Sequence, residues 1–292
     1  MNKLLITGAA LALLVGTPAL AADMAVKAPP PAPVPVASWA GCYVGLNAGA
    51  MIGDDRYDLS MAGGYLASFN IFSNPANSGQ LNHSYTPSPV GFTGGGQIGC
   101  NQQNGTWVYG VEADIDGASR LDTTASYGPA GPFIGDAALS ASHTEDVTKQ
   151  VDWYSTFRGR LGYTVTPTWL LYVTGGLAVG EIKSTTNLQF GTDQVLLGGD
   201  VFSGSNTTTR VGWTVGAGTE WALASNWSIK AEYLLLDFGS FTYLSSCLTA
   251  ACIAALAPGQ ALFAWQTHVR AEESVFRLGV NYKFGGPVVA KY

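Results

Sequence analysis

Residues 151–180 read VDWYSTFRGRLGYTVTPTWLLYVTGGLAVG, and the alternation in this stretch decides the fold. Between 151 and 163, Trp153, Phe157, Leu161 and Tyr163 share one face of an extended chain, opposite Tyr154, Thr156, Arg158, Arg160 and Gly162. A period of two belongs to a β-strand, whose successive side chains point to opposite sides. Residues 164–167 make a tight turn. The period then resumes over 168–180, with Trp169, Leu171, Val173, Leu177 and Val179 on the apolar face. Each half is close to the ~9–11 residues that a tilted strand needs to cross a bilayer.

Six further segments repeat the pattern: 41–52, 90–101, 106–115, 209–222, 226–237 and 274–284. The glycine-rich 90–101 is the weakest of them by pattern. Connections 102–105, 164–167 and 223–225 are tight, whereas 53–89, 116–150, 181–208 and 238–273 are long and polar or glycine-rich. Short turns at one end and long loops at the other are the expected topology of an outer-membrane barrel. The predicted fold is therefore all-β, an eight-stranded antiparallel up-and-down transmembrane β-barrel. Trp107, Tyr163, Trp169, Trp221, Trp227, Tyr282 and Phe284 all fall on the apolar faces beside a short turn or the last strand's end, as a periplasmic aromatic girdle requires. Trp153, Trp213 and Tyr233 are placed to supply the outer girdle.

Composition agrees. Charged residues make up 12% of the chain and hydrophobic ones 47%, with 37 glycines, yet no window of about 18 clean apolar residues follows residue 21. The apolar residues are spread by alternation rather than gathered into a helix. The net charge is −6 and the 14 Lys and Arg are scattered, so no basic stripe argues for nucleic acid. Before the strands, Lys3, an apolar run from Leu4 to Val15, and Ala19-Leu20-Ala21 form a secretory signal peptide over 1–21. Residues 22–39, which include APPPAPVP at 28–35, read as a polyproline-rich periplasmic linker. The barrel domain is 40–292.

The inward faces carry most of the strand charge: Glu112, Asp114, Arg158, Arg160, Glu220, Lys230, Glu232 and Arg277. On a lipid face such charges would be costly, whereas inside an eight-stranded lumen they can compensate one another. Neighbouring strands set Glu112 beside Arg158 and Glu232 beside Arg277. The lumen is expected to be closed by this network, the alternative being a weak small-solute channel. Glu145 is expected in a solvated loop.

Other motifs carry little chemistry. Gly94-x-Gly96-x-x-Gly99 matches a dinucleotide fingerprint in letters but lies within a strand with no helix following. His83, His143 and His268 fall in three separate long loops without metal-ligand spacing, so no cofactor or metal is expected. His268, Glu272 and Ser274 lie close in sequence, the only trace of a lipid-modifying enzyme, a third alternative; they match no nucleophile motif. Cys247 and Cys252 would close a small ring in the last long loop. Cys42 and Cys100 fall at the periplasmic rim of adjacent strands, each in phase with an apolar face. They can form a disulfide in a non-hydrogen-bonded pairing; a register slipped by one residue leaves them as free thiols on opposite faces.

The stretches WAGCYVGLNAG at 39–49, GGGQIG at 94–99, RGRLGY at 158–163 and GGPVVAKY at 285–292 resemble the RopB-type surface proteins of alphaproteobacteria, small outer-membrane β-barrels of the porin-like superfamily. The resemblance spans nearly the whole chain after residue 21. It implies an integral outer-membrane protein of structural or host-interaction role, in contact with outer-membrane lipid and lipopolysaccharide, with no catalytic residues to carry over. Arg277-x-Gly279-x-x-Tyr282-x-Phe284 resembles the terminal-strand signal read by the barrel-assembly machinery, with eight residues following Phe284.

Overall fold

A strand whose two faces differ in polarity must find one partner medium for each face, and a closed ring of strands provides both without leaving an edge. The computed structural model describes residues 38–62, 82–86, 88–127, 143–190, 201–223, 226–249 and 264–284. The signal peptide, the linker up to residue 37, Cys252 and the tail after Phe284 lie outside the described residues. The strands are β1 (Gly41–Gly53), β2 (Arg56–Ala62), β3 (His83–Tyr85), β4 (Val90–Asn104), β5 (Trp107–Ala118), β6 (Arg120–Tyr127), β7 (His143–Thr166), β8 (Trp169–Phe190), β9 (Val201–Ala222), β10 (Trp227–Cys247) and β11 (Ala264–Lys283).

Eight of them close a ring in the order β1-β4-β5-β7-β8-β9-β10-β11, with β11 returning to β1. Every pairing is antiparallel. These eight correspond to the eight alternating segments of the sequence. Following register partners round the ring from Tyr282 leads through Val44, Ile98, Ala113, Phe157, Leu177, Trp213 and Asp237 back to β11 at Glu272, ten residues away. That stagger tilts the strands by about 40° to the barrel axis. The tight turns sit together at one end. Gly105, at φ 61°, occupies the left-handed position of the β4–β5 hairpin, where a side chain would be strained.

The long connections depart from expectation. Much of what reads as loop continues the wall: β7 begins at His143, β8 runs to Phe190, β9 begins at Val201, β10 ends at Cys247 and β11 begins at Ala264. β2, β3 and β6 add to this outer part, β2 beside β11, β3 beside β2 and β6 beside β7. The physical reason is an inversion of polarity along unbroken strands. On β8 the outward residues are Leu171, Val173, Leu177 and Val179, then Glu181, Lys183, Asn187 and Gln189, while Ala178, Ile182 and Leu188 point inward and are fully buried. Outside the bilayer the medium is water, so the apolar face turns in. An apolar layer of Met51, Tyr154, Val151, Ile182, Leu236 and Phe238 fills the interior there. Glu145 lies in this part of β7 and is fully buried, so it is not a loop charge. His83, His143 and His268 likewise lie in β3, β7 and β11 rather than in loops.

Candidate functional site

Parity carries Arg158 and Arg160 on β7, Glu112 and Asp114 on β5, Glu220 on β9, Lys230 and Glu232 on β10 and Arg277 on β11 to the inside of the ring. All eight are at most 5% exposed. Glu112 and Arg158 are direct register partners, as are Glu232 and Arg277. The guanidinium of Arg158 donates to three carboxylates: Glu112 Oε1 at 2.5 Å, Asp114 Oδ2 at 2.7 Å and Glu232 Oε1 at 3.0 Å. Its Nε donates to Thr156 Oγ1 at 2.8 Å. Arg277 donates to Glu232 Oε2 at 2.8 Å, Asp114 Oδ2 at 2.7 Å and Asp116 Oδ2 at 3.0 Å. Lys230 completes the layer on Glu112 Oε1 at 2.9 Å. The planar fork of arginine suits such sharing, because its donors diverge at fixed angles.

A second layer lies towards the tight turns. Arg160 pairs with Glu220 and its guanidinium carbon lies 3.7 Å from the Tyr172 ring centre. Tyr43 donates to Glu112 Oε2 at 2.6 Å and so joins the layers. Asn47, Gln97 and Asn281 form a chain of amides at 2.8 and 2.7 Å, ending on Glu220 Oε1 at 2.8 Å. Below them Trp39 packs on Val108, Leu170 and Tyr172, and its backbone N–H donates to Gln103 Oε1 at 2.8 Å. The barrel wall is thus anchored from Trp39 onward.

A third group sits at the outer end, above the lipid-facing apolar residues. Lys149 on β7 pairs with Asp55 at 2.5 Å and with Glu273 on β11. β7 and β11 are four places apart in a ring of eight, hence diametrically opposite. Burial works against the Lys149 ammonium, but its two carboxylate partners outweigh that and hold it above its ordinary value. Burial pushes Asp55 above the usual carboxylate range against the pull of Lys149, and pushes Glu273 up to about 8. One cation serves two buried acids.

The structure brings the eight charges singled out in the sequence inside the ring; Asp116, which joins their layer, and Lys149, Asp55 and Glu273 of the third group all fall where loops were expected. The sequence reading also misses the neutral partners Tyr43, Tyr172, Asn47, Gln97 and Asn281. Asn281 shares its parity with Arg277 and could have been found that way, whereas β1 and β4 carry no charged residue and β8 none on its inner face to point to Tyr43, Asn47, Gln97 and Tyr172.

The wall's outer surface bears the aromatics. Trp107 meets Tyr163 edge-on at 5.4 Å, Trp169 stacks on Trp221 at 6.1 Å and Trp227 meets Tyr282 at 5.0 Å, giving the girdle beside the short turns. Trp213 and Tyr233 are exposed near the other end. Of the terminal-strand residues, Arg277 enters the network and Gly279 packs against the inner chain. Tyr282 and Phe284 face outward, their rings 5.7 Å apart, and the Phe284 N–H donates to the Cys42 carbonyl at 2.8 Å.

Cys42 and Cys100 are register partners on β1 and β4 and form a disulfide, with Cα atoms 3.9 Å apart. Both lie on the exposed outer face with Val44 and Ile98. Cys247 ends β10; its candidate partner Cys252 lies outside the described residues. His268, Glu272 and Ser274 do not converge. The His268 ring bonds Thr242 Oγ1 at 2.9 Å, Glu272 pairs with Arg270, and Ser274 bonds Asp54 at 2.9 Å and Tyr233 at 3.0 Å. Among the described residues no three His, Cys, Asp or Glu side chains form a metal cluster.

The chain is similar to known outer-membrane proteins. The "31 kDa outer-membrane immunogenic protein" of Brucella melitensis is 38% identical over 240 residues, covering 79% of this chain and 85% of its own. The "22 kDa outer membrane protein" of Rhizobium leguminosarum is 29% identical over 215 residues, covering 73% and 71%. Among solved structures, the outer membrane protein OprG of Pseudomonas aeruginosa superposes with a TM-score of 0.42 at 15% identity, covering 85% of this chain and 97% of that one. The family model described as outer membrane protein beta-barrel domain matches residues 7–284. With a closed ring of eight antiparallel strands, aromatic girdles and an apolar outer band, the chain belongs to that family and is an outer-membrane protein.

Proposed function

We propose that this barrel is a structural and surface-interaction protein of the outer membrane, non-catalytic, with a lumen closed to solutes. The observation that supports it is the span of the interior contacts. Arg158 on β7 reaches Glu232 on β10, Arg277 on β11 reaches Asp116 on β5, and Lys149 reaches Glu273 across the full diameter. An eight-stranded barrel is only wide enough for its own side chains, and here those side chains bridge it at several heights, with a packed apolar cluster filling the outer part. The long outer segments then remain as the surface for contact, in keeping with relatives named as immunogenic proteins.

Planar-bilayer recording tests the reading. Protein whose folded state is verified by heat-modifiable gel migration is expected to give no stepwise conductance. Discrete, reproducible steps would favour the small-solute channel instead.

We assign Phe284 to assembly, as the outward aromatic that ends the closing strand. Phe284→Asp places a charge at the lipid boundary and is expected to reduce the outer-membrane fraction severalfold, with protease-sensitive chain accumulating in the periplasm. Undiminished heat-modifiable protein in the outer membrane would remove that role.

A further inference from the structure

We propose that Lys149, Asp55 and Glu273 form a proton-operated latch in the outer part of the barrel: the two acids keep one proton between them at neutral pH, and its loss weakens the tie from β7 to β11. The argument starts from a count of charges. Lys149 is the only cation within 4.0 Å of either acid among the described residues, bonding Asp55 Oδ1 at 2.5 Å and Glu273 Oε1. All three side chains are at most 1% exposed, beside the apolar cluster that holds Met51, Tyr57 and Ile182. One positive charge therefore faces two acids in a packed interior. Their far oxygens, Asp55 Oδ2 and Glu273 Oε2, are buried without a hydrogen-bond partner. An ionised oxygen left so is far costlier than a neutral carboxyl. A single proton removes the excess charge, and it belongs to the pair rather than to either acid.

The neighbouring elements offer no other relief. β7 sends Glu145, another acid, into the same interior, and the connection from β1 to β2 brings Asp54, whose charge disfavours a second carboxylate in the pair. β2 contributes Tyr57, β8 Ser184 and β10 Tyr243, the last two with their hydroxyls 3.0 Å apart. Burial raises both phenols above their ordinary value, so they stay neutral. On β11, Glu272 and Arg270 pair with each other on the outer surface. The neighbours of the triad are thus acidic or neutral.

The direction of the pH effect follows. In the unfolded chain Asp and Glu lose their protons near pH 4, whereas in the barrel burial pushes Glu273 up to about 8. Between those values the folded state holds a proton that the unfolded chain lacks. Stability is then greatest on the acid side. It falls by about tenfold in the folding constant per pH unit through this window and levels off above about pH 8. Lys149, held above its ordinary value by the same acids, keeps its charge throughout. Because β7 and β11 stand opposite one another in the ring, the weakened contact is a strut across the diameter.

The experiment uses the full mature chain refolded in detergent micelles, unfolded by urea across the pH window beside Glu273→Gln. Glutamine copies the protonated side chain in shape and charge. The ratio of the variant's folding constant to the native one is expected to rise about 100-fold or more from pH 5 to pH 8, since only the native chain gives up this proton. Parallel curves for the two proteins would overturn the proposal. Infrared spectra of the folded barrel give a reading that needs no unfolding. The carbonyl stretch of a protonated carboxyl is expected in the native protein at neutral pH and lost in alkali. It should be missing from Glu273→Gln or, should that variant not fold, from Asp55→Asn, in which the remaining acid ionises against Lys149. A native barrel without such a band, or a band that neither substitution removes, would likewise overturn it.

Discussion

Arg158→Ala is expected to produce the largest loss of stability of any single substitution in the interior, about 3–5 kcal/mol or failure to refold. The arginine is fully buried and holds three carboxylates, Glu112, Asp114 and Glu232. Its removal leaves these acids facing one another in a space that Arg277 and Lys230 cannot neutralise alone. The loss measures stranded charge, not the net worth of the network, since a well-packed apolar replacement of the whole cluster could be neutral. Urea unfolding followed by heat-modifiable migration gives the readout. Asp146→Ala is the control, because Asp146 is exposed on the outer part of β7 and a solvated charge changes stability by only about 0.5 kcal/mol. Glu145 cannot serve, being buried in the same strand. Equal midpoints for Arg158→Ala and Asp146→Ala would show that the interior charges do not depend on one another.

Replacing both Cys42 and Cys100 by serine is the second large effect. The bond closes a loop with a sequence separation of 58, for which the chain-entropy account gives about 4 kcal/mol of stabilisation. The oxidised protein should therefore unfold at clearly higher urea than the double serine variant, with the same native girdle fluorescence. A difference below about 1 kcal/mol would show that the unfolded chain already keeps β1 and β4 together, since such residual structure removes the entropic gain.

The ring and its parity were legible because each membrane-crossing segment meets two unlike media, hydrocarbon outside and charge inside. Trp153, Phe157 and Leu161 against Arg158 and Arg160 leave no doubt about which face is which. The same parity located the Cys42–Cys100 pair and eight members of the interior network. The outer continuation of the strands was not legible. From Glu181 onward β8 alternates as strictly as before, but its outward residues become polar and its inward ones mix Ile182 and Leu188 with Ser184 and Thr186. A pattern sought as apolar-out reads such a stretch as loop. Lys149, Asp55 and Glu273 were lost with it. Their partnership also depends on the ring's diameter, which no local spacing encodes.

The continuation of the wall beyond the lipid has one more effect. Eleven residues of β8, from Gly180 to Phe190, rise past the apolar band, and at a rise of about 3.3 Å per residue and a tilt of about 40° they climb roughly 25 Å. The outer strand ends therefore form a stiff pedestal with a packed interior rather than stopping at the lipid surface. A contact made at those ends stands off from the headgroups, so it need not disturb the bilayer or the Arg158 and Arg277 layer beneath.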